Sequence, residues 1–347
     1  MNRDPQSQTE TRASPPSAAT PSSWMSAAAI GAPRVSHGPA ETPLAPFHAG
    51  PGVAAPHRAA DGRYPSEPLE HLDALWIQVA GTLCNLRCTH CFVSCGPGDD
   101  HHALMAREEV RGRVAEALSL GVKEFYFTGG EPFLHPEMLE ILAETLPHGP
   151  CTVLTNGTLF TRGRLETLRR LSDEARYSLE IRVSLDGYRA EDHDRYRGAG
   201  SFALAVRGLG LLAGHGLLPI VTVTQNTDED PLVFRERYLA MLRSAGLPRP
   251  RLKVLPLFLL GRETERTRGY SPAESLLDLP AAAFDPARLQ CHSCRAVTSH
   301  GVFVCPLLVD EPSARMGGRL DQALGPFELS HGACYTCYAT GMTCGNS

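Results

Sequence analysis

Three cysteines separated by three and then two residues, Cys84, Cys88 and Cys91, constrain this chain more than any other feature of its sequence. A loop this compact can turn three sulfur atoms toward one point, as an iron–sulfur cluster requires. A cubane cluster on three protein thiolates keeps one iron without a protein ligand, and that iron can bind a substrate or a cofactor. Structural zinc needs a fourth ligand, for which His90 and Cys95 are candidates. The spacing therefore favours a cluster over zinc.

The distribution of the eleven cysteines argues against a secreted, disulfide-bonded protein. None precedes Cys84, the total is odd, and cysteines two or three residues apart suit metals better than disulfides. Residues 1–10 lack a basic segment followed by an apolar one, and no apolar run approaches the roughly 18 residues of a membrane span. A formal net charge of -5 offers no basic face to nucleic acid. We therefore expect a cytoplasmic protein that binds neither membrane nor nucleic acid.

The remaining pattern predicts a disordered tail followed by an α/β domain. Residues 1–70 are rich in proline, alanine and serine and cannot bury enough apolar surface to offset the entropy of ordering. Short apolar segments then alternate with segments of helical spacing. The predicted strands are 75–80, 124–128, 151–155, 179–184, 220–224 and 252–257. The predicted helices are 107–120, 136–146, 162–171, 202–213 and 231–244. This alternation predicts a partial (βα)6 TIM-like barrel over residues 71–265, with ligands at the carboxyl ends of the strands.

Five short motifs stand at predicted strand ends, one after another. They are the cysteine loop after the first strand, Thr128-Gly129-Gly130-Glu131-Pro132 after the second, Thr155-Asn156-Gly157 after the third, Ser184-Leu185-Asp186-Gly187 after the fourth, and residues 253–262 at the sixth. In this order and placement, residues 75–262 resemble the radical S-adenosylmethionine (radical SAM) superfamily.

The resemblance implies that Cys84, Cys88 and Cys91 hold a [4Fe–4S] cluster whose open iron is chelated by S-adenosylmethionine. One electron would cleave this cofactor to methionine and a 5′-deoxyadenosyl radical, which removes a hydrogen atom from substrate. Gly129 and Gly130 would let the backbone approach the methionyl ammonium, with Glu131 near enough to pair with it. Other implied contacts are His90 and Phe92 with the adenine, Asn156 and Ser184 with the ribose or carboxylate, and Gln225 or Asn226 after the fifth strand. For Asn156 and Ser184, stabilisation of a turn or capping of a helix is an equal alternative. For Phe92 the equal alternative is a core aromatic residue. We expect Asp186 to fix its turn rather than to touch substrate.

Residues 266–347 form the third predicted unit, a small cysteine-rich carboxyl-terminal domain that caps the barrel. Its six cysteines are Cys291, Cys294, Cys305, Cys334, Cys337 and Cys344. Two C-x2-C pairs indicate a metal site, and a zinc ribbon is one reading of them. After a radical SAM core the pattern resembles the SPASM or twitch extensions that carry auxiliary iron–sulfur clusters. Since two fully ligated clusters need about eight thiolates, we expect one auxiliary [4Fe–4S] cluster, ahead of two clusters or zinc.

Two cysteines stand outside both sets. Cys95 lies on the loop after the third cluster cysteine; an inert loop cysteine is the favoured reading, and donation of a hydrogen atom to a substrate radical is the alternative. Cys151 begins a predicted strand, where we expect a buried apolar side chain.

The resemblance implies a reaction class but leaves the substrate open. Modification of a peptide or protein by crosslinking, thioether formation, epimerisation or oxidation is the favoured reading, and tailoring of a small natural product such as a sugar or nucleoside is the alternative. A non-catalytic iron–sulfur or zinc protein for electron transfer or regulation is an alternative of a different class. A reductant such as flavodoxin or ferredoxin is implied. The proline-rich region before Leu75 predicts no leader-peptide module, which weakens the peptide reading unless a separate leader-peptide-binding protein supplies recognition.

Overall fold

A computed structural model describes residues 63–225, 227–277, 279 and 281–341 of the 347-residue chain. Its strands are β1 (Ser66–Glu67), β2 (Ala74–Ile77), β3 (Glu124–Phe127), β4 (Cys151–Thr155), β5 (Leu179–Ser184), β6 (Ile220–Thr224), β7 (Arg251–Leu255), β8 (Cys294–Thr298), β9 (Gly301–Phe303), β10 (Arg315–Gly317) and β11 (Phe327–Glu328). Its α-helices are α1 (Arg107–Ser119), α2 (Met138–Thr145), α3 (Arg162–Glu174), α4 (Ala190–Arg197), α5 (Ser201–Gly214), α6 (Pro231–Ser244), α7 (Glu263–Arg266) and α8 (Gly332–Thr340).

Helix starts follow local capping chemistry. The Asp230 carboxylate accepts hydrogen bonds from the backbone N–H groups of Leu232 and Val233, and Pro231 occupies the first turn of α6. Thr161 caps α3 through its hydroxyl in the same way. These local signals explain why α6 begins and ends where the sequence predicts.

Strands β2 to β7 are parallel and lie side by side in chain order. This arrangement confirms the predicted α/β fold with a partial barrel of six parallel strands. We call the end of the sheet at which these strands finish the carboxyl edge, and the end at which they begin the amino edge. Loops that follow the strands therefore meet at the carboxyl edge.

The two faces of the sheet pack against different layers. Leu75 and Ile77 of β2 point into a core shared with the helices, whereas Ala74 and Trp76 point into a second core. The second core includes apolar residues of the carboxyl-terminal segment and all five of its described cysteines. Successive side chains of a strand face opposite sides, so β2 alternates between the two cores.

The carboxyl-terminal segment extends the barrel sheet rather than forming a separate layer. Strand β8 pairs in parallel with β2, and β9 and β10 follow in antiparallel order, which gives nine strands in the sequence β10-β9-β8-β2-β3-β4-β5-β6-β7. The expectation of a small appendage beyond residue 265 missed this pairing, because contact between β2 and β8 joins residues some 220 positions apart in the chain.

The predicted disordered tail, residues 1–70, is wrong at its end. Ser66–Glu67 form β1, which pairs antiparallel with β11, and Glu67 is only 1% exposed. Residues 1–62 lie outside the described part of the chain. Among the described residues, no helix combines the length and apolar character needed to cross a membrane.

The turn after β3 is packed directly onto the cysteine loop. The backbone N–H of Gly130 donates to the carbonyl of Gly81 at 2.8 Å, and that of Glu131 donates to the carbonyl of Leu83 at 2.9 Å. A Cβ atom on Gly130 would lie 2.1 Å from the Leu83 carbonyl oxygen. Only glycine permits this approach of two backbones.

We expect Gly130→Ala to lower the free energy of unfolding by about 1–3 kcal/mol, since either the turn or the cysteine loop must move. Chemical denaturation followed by circular dichroism measures this change. Gly163→Ala is the matched control, because a Cβ there meets nothing within 4 Å and α3 gains a better helix former. Equal stability of the two variants would contradict the packing argument.

Candidate active site

The loop that carries Cys84, Cys88 and Cys91 lies at the carboxyl edge, directly after β2. Its ends are tied together, because the N–H of Cys84 donates to the Gly96 carbonyl at 3.1 Å and the N–H of Gly96 donates to the Thr82 carbonyl at 3.2 Å. Within this closed loop Cys84, Cys88 and Cys91 all line the same cavity.

A single arginine from beyond β7 holds the same loop from outside. The guanidinium of Arg262 donates to the carbonyl of Cys88 at 2.9 Å, to that of Ser94 at 3.0 Å and to that of Cys95. Three carbonyl groups of an irregular loop thus accept hydrogen bonds from one partly buried guanidinium, which fixes the loop without regular secondary structure.

Each of the three sulfur atoms accepts a hydrogen bond from an N–H group. The backbone N–H of Leu86 lies 3.5 Å from the Cys84 sulfur, that of Cys95 lies 3.4 Å from the Cys91 sulfur, and the Arg197 guanidinium lies 4.0 Å from the Cys88 sulfur. The amide of Asn156 adds a second donor, 3.9 Å from the Cys84 sulfur. Donors around every sulfur suit thiolates, and therefore suit the ligands of a cluster.

The thiols differ in pKa. Burial raises the pKa of Cys84 to about 12 and raises that of Cys88. A hydrogen bond from the Cys95 thiol lowers the pKa of Cys91 to about 5, although burial opposes it. The same contact raises the pKa of Cys95. Thiols with a raised pKa deprotonate when a metal binds them.

An open cavity with an empty volume of about 1460 Å³, its mouth included, lies against the three thiols. One wall comes from the carboxyl-terminal segment through Leu307 and Val309. Deeper in the barrel, Trp76 and Tyr126 stack with ring centroids 4.3 Å apart, and Trp76 lines the cavity. The indole N–H of Trp76 is buried and has no hydrogen-bond partner among the described residues. The cavity thus combines metal-ligating groups with apolar walls and an open donor.

A buried charged network lies beside the loop. The Asp186 carboxylate contacts Nε2 of His90 at 2.8 Å, the guanidinium of Arg197, and the N–H of Thr224 at 2.9 Å. Burial alone would raise the pKa of Asp186, but the charge of Arg197 and the contact with His90 hold it well below its usual range. Arg197 reaches Cys88 as well, so this network joins the ends of β5 and β6 to the cysteine loop. The Asp186 carboxylate thus connects the turn after β5 to α4, to β6 and to the cysteine loop, and it also lines the cavity.

Most of the remaining residues proposed from sequence as cofactor contacts line the cavity. They are His90, Phe92, Gly129, Gly130, Asn156 and Ser184, and Cys95 lines it too. The side chain of Asn156 also holds the loop, because its amide donates to Asn85 at 2.8 Å and its oxygen accepts from Thr158. Turn chemistry and cavity lining coexist at this residue.

Two expectations differ from the structure. Glu131 is fully buried and its carboxylate accepts from Phe133, Thr155 and Asn156, so it holds two strand ends together and does not line the cavity. The amide of Gln225 donates to the Glu229 carbonyl and closes its own loop, also away from the cavity. Asn226 and Cys344 lie outside the described residues.

The carboxyl-terminal cysteines gather near the amino edge. Cys291 and Cys294 stand at the start of β8, and Cys305 follows β9, which runs back to the same edge. Burial raises the pKa of the Cys291 thiol well above its usual value, and Cys305, Cys294 and Cys334 add to the rise. The structure thus brings four thiols together. Cys337 lies one turn from Cys334 on α8 and is buried in the same core.

Sequence reasoning missed Arg197, Arg262 and Trp76. Arg262 ends the fifth motif, at the sixth predicted strand, but no neighbouring residue indicates that its side chain turns back to the cysteine loop. Arg197 ends α4, a helix that the apolar pattern does not reveal because its residues are mostly polar. A run of charged residues directly after Ser184-Leu185-Asp186-Gly187 is the one available signal for it.

Comparisons with known proteins agree with this geometry. The family model described as the radical SAM superfamily matches residues 79–238. The antilisterial bacteriocin subtilosin biosynthesis protein AlbA of Bacillus subtilis is 33% identical over 143 residues, which cover 41% of this chain and 31% of that protein. The mycofactocin maturase MftC of Mycobacterium ulcerans is 34% identical over 171 residues, which cover 47% of this chain and 44% of that protein. The matched region thus spans less than half the length of either relative.

The fold resembles that of solved structures at low sequence identity. Streptococcus suis SuiB bound to the precursor peptide SuiA superposes with a TM-score of 0.55 at 15% identity, over 75% of this chain and 65% of that one. SuiB bound to S-adenosylmethionine gives a TM-score of 0.54 at 13% identity, over 71% and 63%. These values establish likeness of fold.

We expect Asp186→Asn to lower the free energy of unfolding by about 3–5 kcal/mol at pH 7, because Arg197 is left buried without its counter-charge. The depressed pKa of Asp186 means that its stabilisation is present above the unfolded-state value near 3.9 and is lost as the pH falls below it. The gap between variant and wild type should therefore narrow below about pH 4. Urea denaturation at pH 7 and at acidic pH measures it.

Asp173→Asn is the control for this measurement. Asp173 pairs with Arg169 at 2.6 Å on the exposed surface of α3, where an ion pair contributes about 0–1 kcal/mol. A loss in Asp186→Asn no larger than in Asp173→Asn would show that the buried network does not stabilise the fold.

Proposed function

We propose that this chain, whose residues 79–238 match the family model described as the radical SAM superfamily, is an enzyme that cleaves S-adenosylmethionine reductively and modifies a peptide. The observation that carries the proposal is the convergence of Cys84, Cys88 and Cys91 on one cavity, with an N–H donor on every sulfur. Family members use a [4Fe–4S] cluster and S-adenosylmethionine, and this donor set fits both.

The three thiols are the proposed ligands of that cluster. When bound, the cluster and S-adenosylmethionine would supply a 5′-deoxyadenosyl radical able to abstract a hydrogen atom. The chain would supply the rest: N–H groups that stabilise the sulfur charge, and a loop whose backbone is fixed by Arg262. The electron requires a donor such as flavodoxin or ferredoxin.

The cofactor is proposed to lie along the carboxyl edge, between the loop and the strand ends. Gly129 and Gly130 present backbone there, while Asn156 and Ser184 present polar side chains and Phe92 a partly exposed ring. Glu131 is left out of this set, since all its contacts are with protein groups. Gln225 is left out for the same reason.

A peptide substrate is supported by the names of the relatives and by the cavity. AlbA is named for bacteriocin biosynthesis, MftC is named a maturase, and SuiB is described with a precursor peptide. The cavity continues past the cofactor region to Trp76 and to the apolar wall of Leu307 and Val309. A peptide carbonyl could accept the unpartnered indole N–H of Trp76. A separate leader-peptide-binding protein is proposed to deliver the peptide.

The carboxyl-terminal thiols are proposed to hold one auxiliary [4Fe–4S] cluster. Cys291, Cys294, Cys305 and Cys334 form a set of the size that one fully ligated cluster needs. Cys337 and Cys344 remain further candidate ligands.

Cys88→Ala should abolish formation of 5′-deoxyadenosine in anaerobic reactions with S-adenosylmethionine and dithionite, because two thiolates cannot retain the proposed cluster. Liquid chromatography with mass spectrometry measures the product. Cys151→Ala is the matched control and should retain activity. Cys151 is the first residue of β4, is buried in the core shared with the helices, and does not line the cavity.

The same assay identifies the substrate class. Deuterium transferred from a labelled precursor peptide into 5′-deoxyadenosine would establish peptide hydrogen abstraction, whereas transfer only from a labelled sugar or nucleoside would replace the peptide proposal. No 5′-deoxyadenosine from the wild type under any reductant or substrate would favour a non-catalytic metal protein.

The combined variant Cys84→Ala, Cys88→Ala and Cys91→Ala should retain about four iron atoms per chain, those of the auxiliary cluster. Adding Cys291→Ala should remove most of this iron, whereas adding Cys151→Ala should leave it in place. Elemental analysis after anaerobic reconstitution measures iron and zinc. Zinc without iron in the triple variant would contradict the auxiliary cluster.

A further inference from the structure

A cluster of acidic and histidine side chains lies at the amino edge, away from the cavity. Glu70 and His71 precede β2, and His292 stands in the short turn that precedes β8. Because β2 and β8 are parallel neighbours, the segments before them meet, and the N–H of Asp73 donates to the Ser293 carbonyl at 2.9 Å. The cluster therefore joins the start of the described chain to the carboxyl-terminal segment.

The ligand atoms of this cluster are already close together. One atom each from Glu70, His71 and His292 lies within 4.8 Å of the other two. Nε2 of His292 is 3.5 Å from a carboxylate oxygen of Glu70, and the two imidazole rings are 6.1 Å apart and steeply inclined. Glu70 and His71 are exposed, so small rotations of their side chains bring all three atoms to one ion without movement of the backbone.

A buried carboxylate on the other side of the His292 ring supplies a second, independent observation. Glu67 is 1% exposed, and its Oε1 lies 2.9 Å from Nδ1 of His292. This contact holds the imidazole ring in an orientation in which Nε2 faces Glu70. The other oxygen of Glu67 is buried and has no hydrogen-bond partner among the described residues. A carboxylate that orients a histidine through its far nitrogen is the usual support of a histidine metal ligand.

We propose that Glu70, His71 and His292 bind a divalent metal ion of the zinc type, with Glu67 as the residue that orients His292. Two imidazoles and one carboxylate are a zinc donor set and leave a fourth position for water. Magnesium and calcium prefer oxygen ligands and are disfavoured here.

The site is distinct from the neighbouring cysteines. Cys291 is adjacent to His292 in sequence, but its side chain is buried with the other thiols. The imidazole of His292 is only partly buried and faces the exposed side chains of Glu70 and His71. The bound ion would link the segment between β1 and β2 to the turn before β8. Its effect would be to stabilise the contact between these two segments.

The test uses the full chain, reconstituted anaerobically with iron and sulfide and dialysed against buffered zinc ions. We expect one zinc per chain in the wild type, and its loss in His71→Ala and in Glu70→Gln with iron content unchanged. His148→Ala, another exposed histidine, is the control and should keep the zinc. Equal zinc in wild type, His71→Ala and Glu70→Gln would overturn the site.

Glu67→Gln separates orientation of His292 from plain structural support. All three ligands remain, so zinc should still bind but 10–100-fold more weakly. Zinc should raise the melting temperature of the wild type more than that of the variant at the same free zinc concentration. If Glu67 only supports the fold, the variant melts lower but gains as much from zinc as the wild type does, and the assigned role of Glu67 is then wrong.

Discussion

The site depends on one constraint, which is that three sulfur atoms must converge on a loop without regular secondary structure. Ordering each residue of such a loop costs about 1–2 kcal/mol of conformational entropy. The cost is offset by hydrogen bonds to the carbonyl groups of the loop, from Arg262 on one side and from the backbone of Gly130 and Glu131 on the other. These partners come from β3 and from beyond β7, so the loop acquires its geometry only when the barrel has assembled.

One charged group near the thiols has more than one partner. Arg197 neutralises Asp186 and approaches the sulfur of Cys88, so one guanidinium serves a carboxylate and a thiol together. A positive group beside a thiolate favours its charged form, and the N–H groups at the other two sulfurs act in the same direction. Asp186 in turn holds His90, whose neighbour is a cluster ligand in our proposal. Replacement of Asp186 or Arg197 therefore leaves the other charge without this partner.

The sequence predicted those parts of the molecule that local patterns encode. Strands β4, β5 and β6 and helix α6 have the predicted bounds, because alternation, proline and capping residues act over a few positions. The motifs at strand ends correctly placed the cavity. They could not tell which way a side chain turns, so Glu131 was expected to face the cofactor although it bonds Thr155 and Asn156. Pairings between distant segments, such as β2 with β8, have no local signature.

That last pairing has a consequence for how the chain can be divided. A row of six parallel strands has two borders, each with backbone N–H and C=O groups that seek partners. At β2 those groups are taken up by β8, and the added hairpin ends in β10, a strand of only three residues with a register shift. A barrel cut free at residue 265 would expose the bare flank of β2 to other molecules and tend to aggregate. The cysteine-bearing segment therefore protects an edge of the barrel sheet in addition to presenting its thiols.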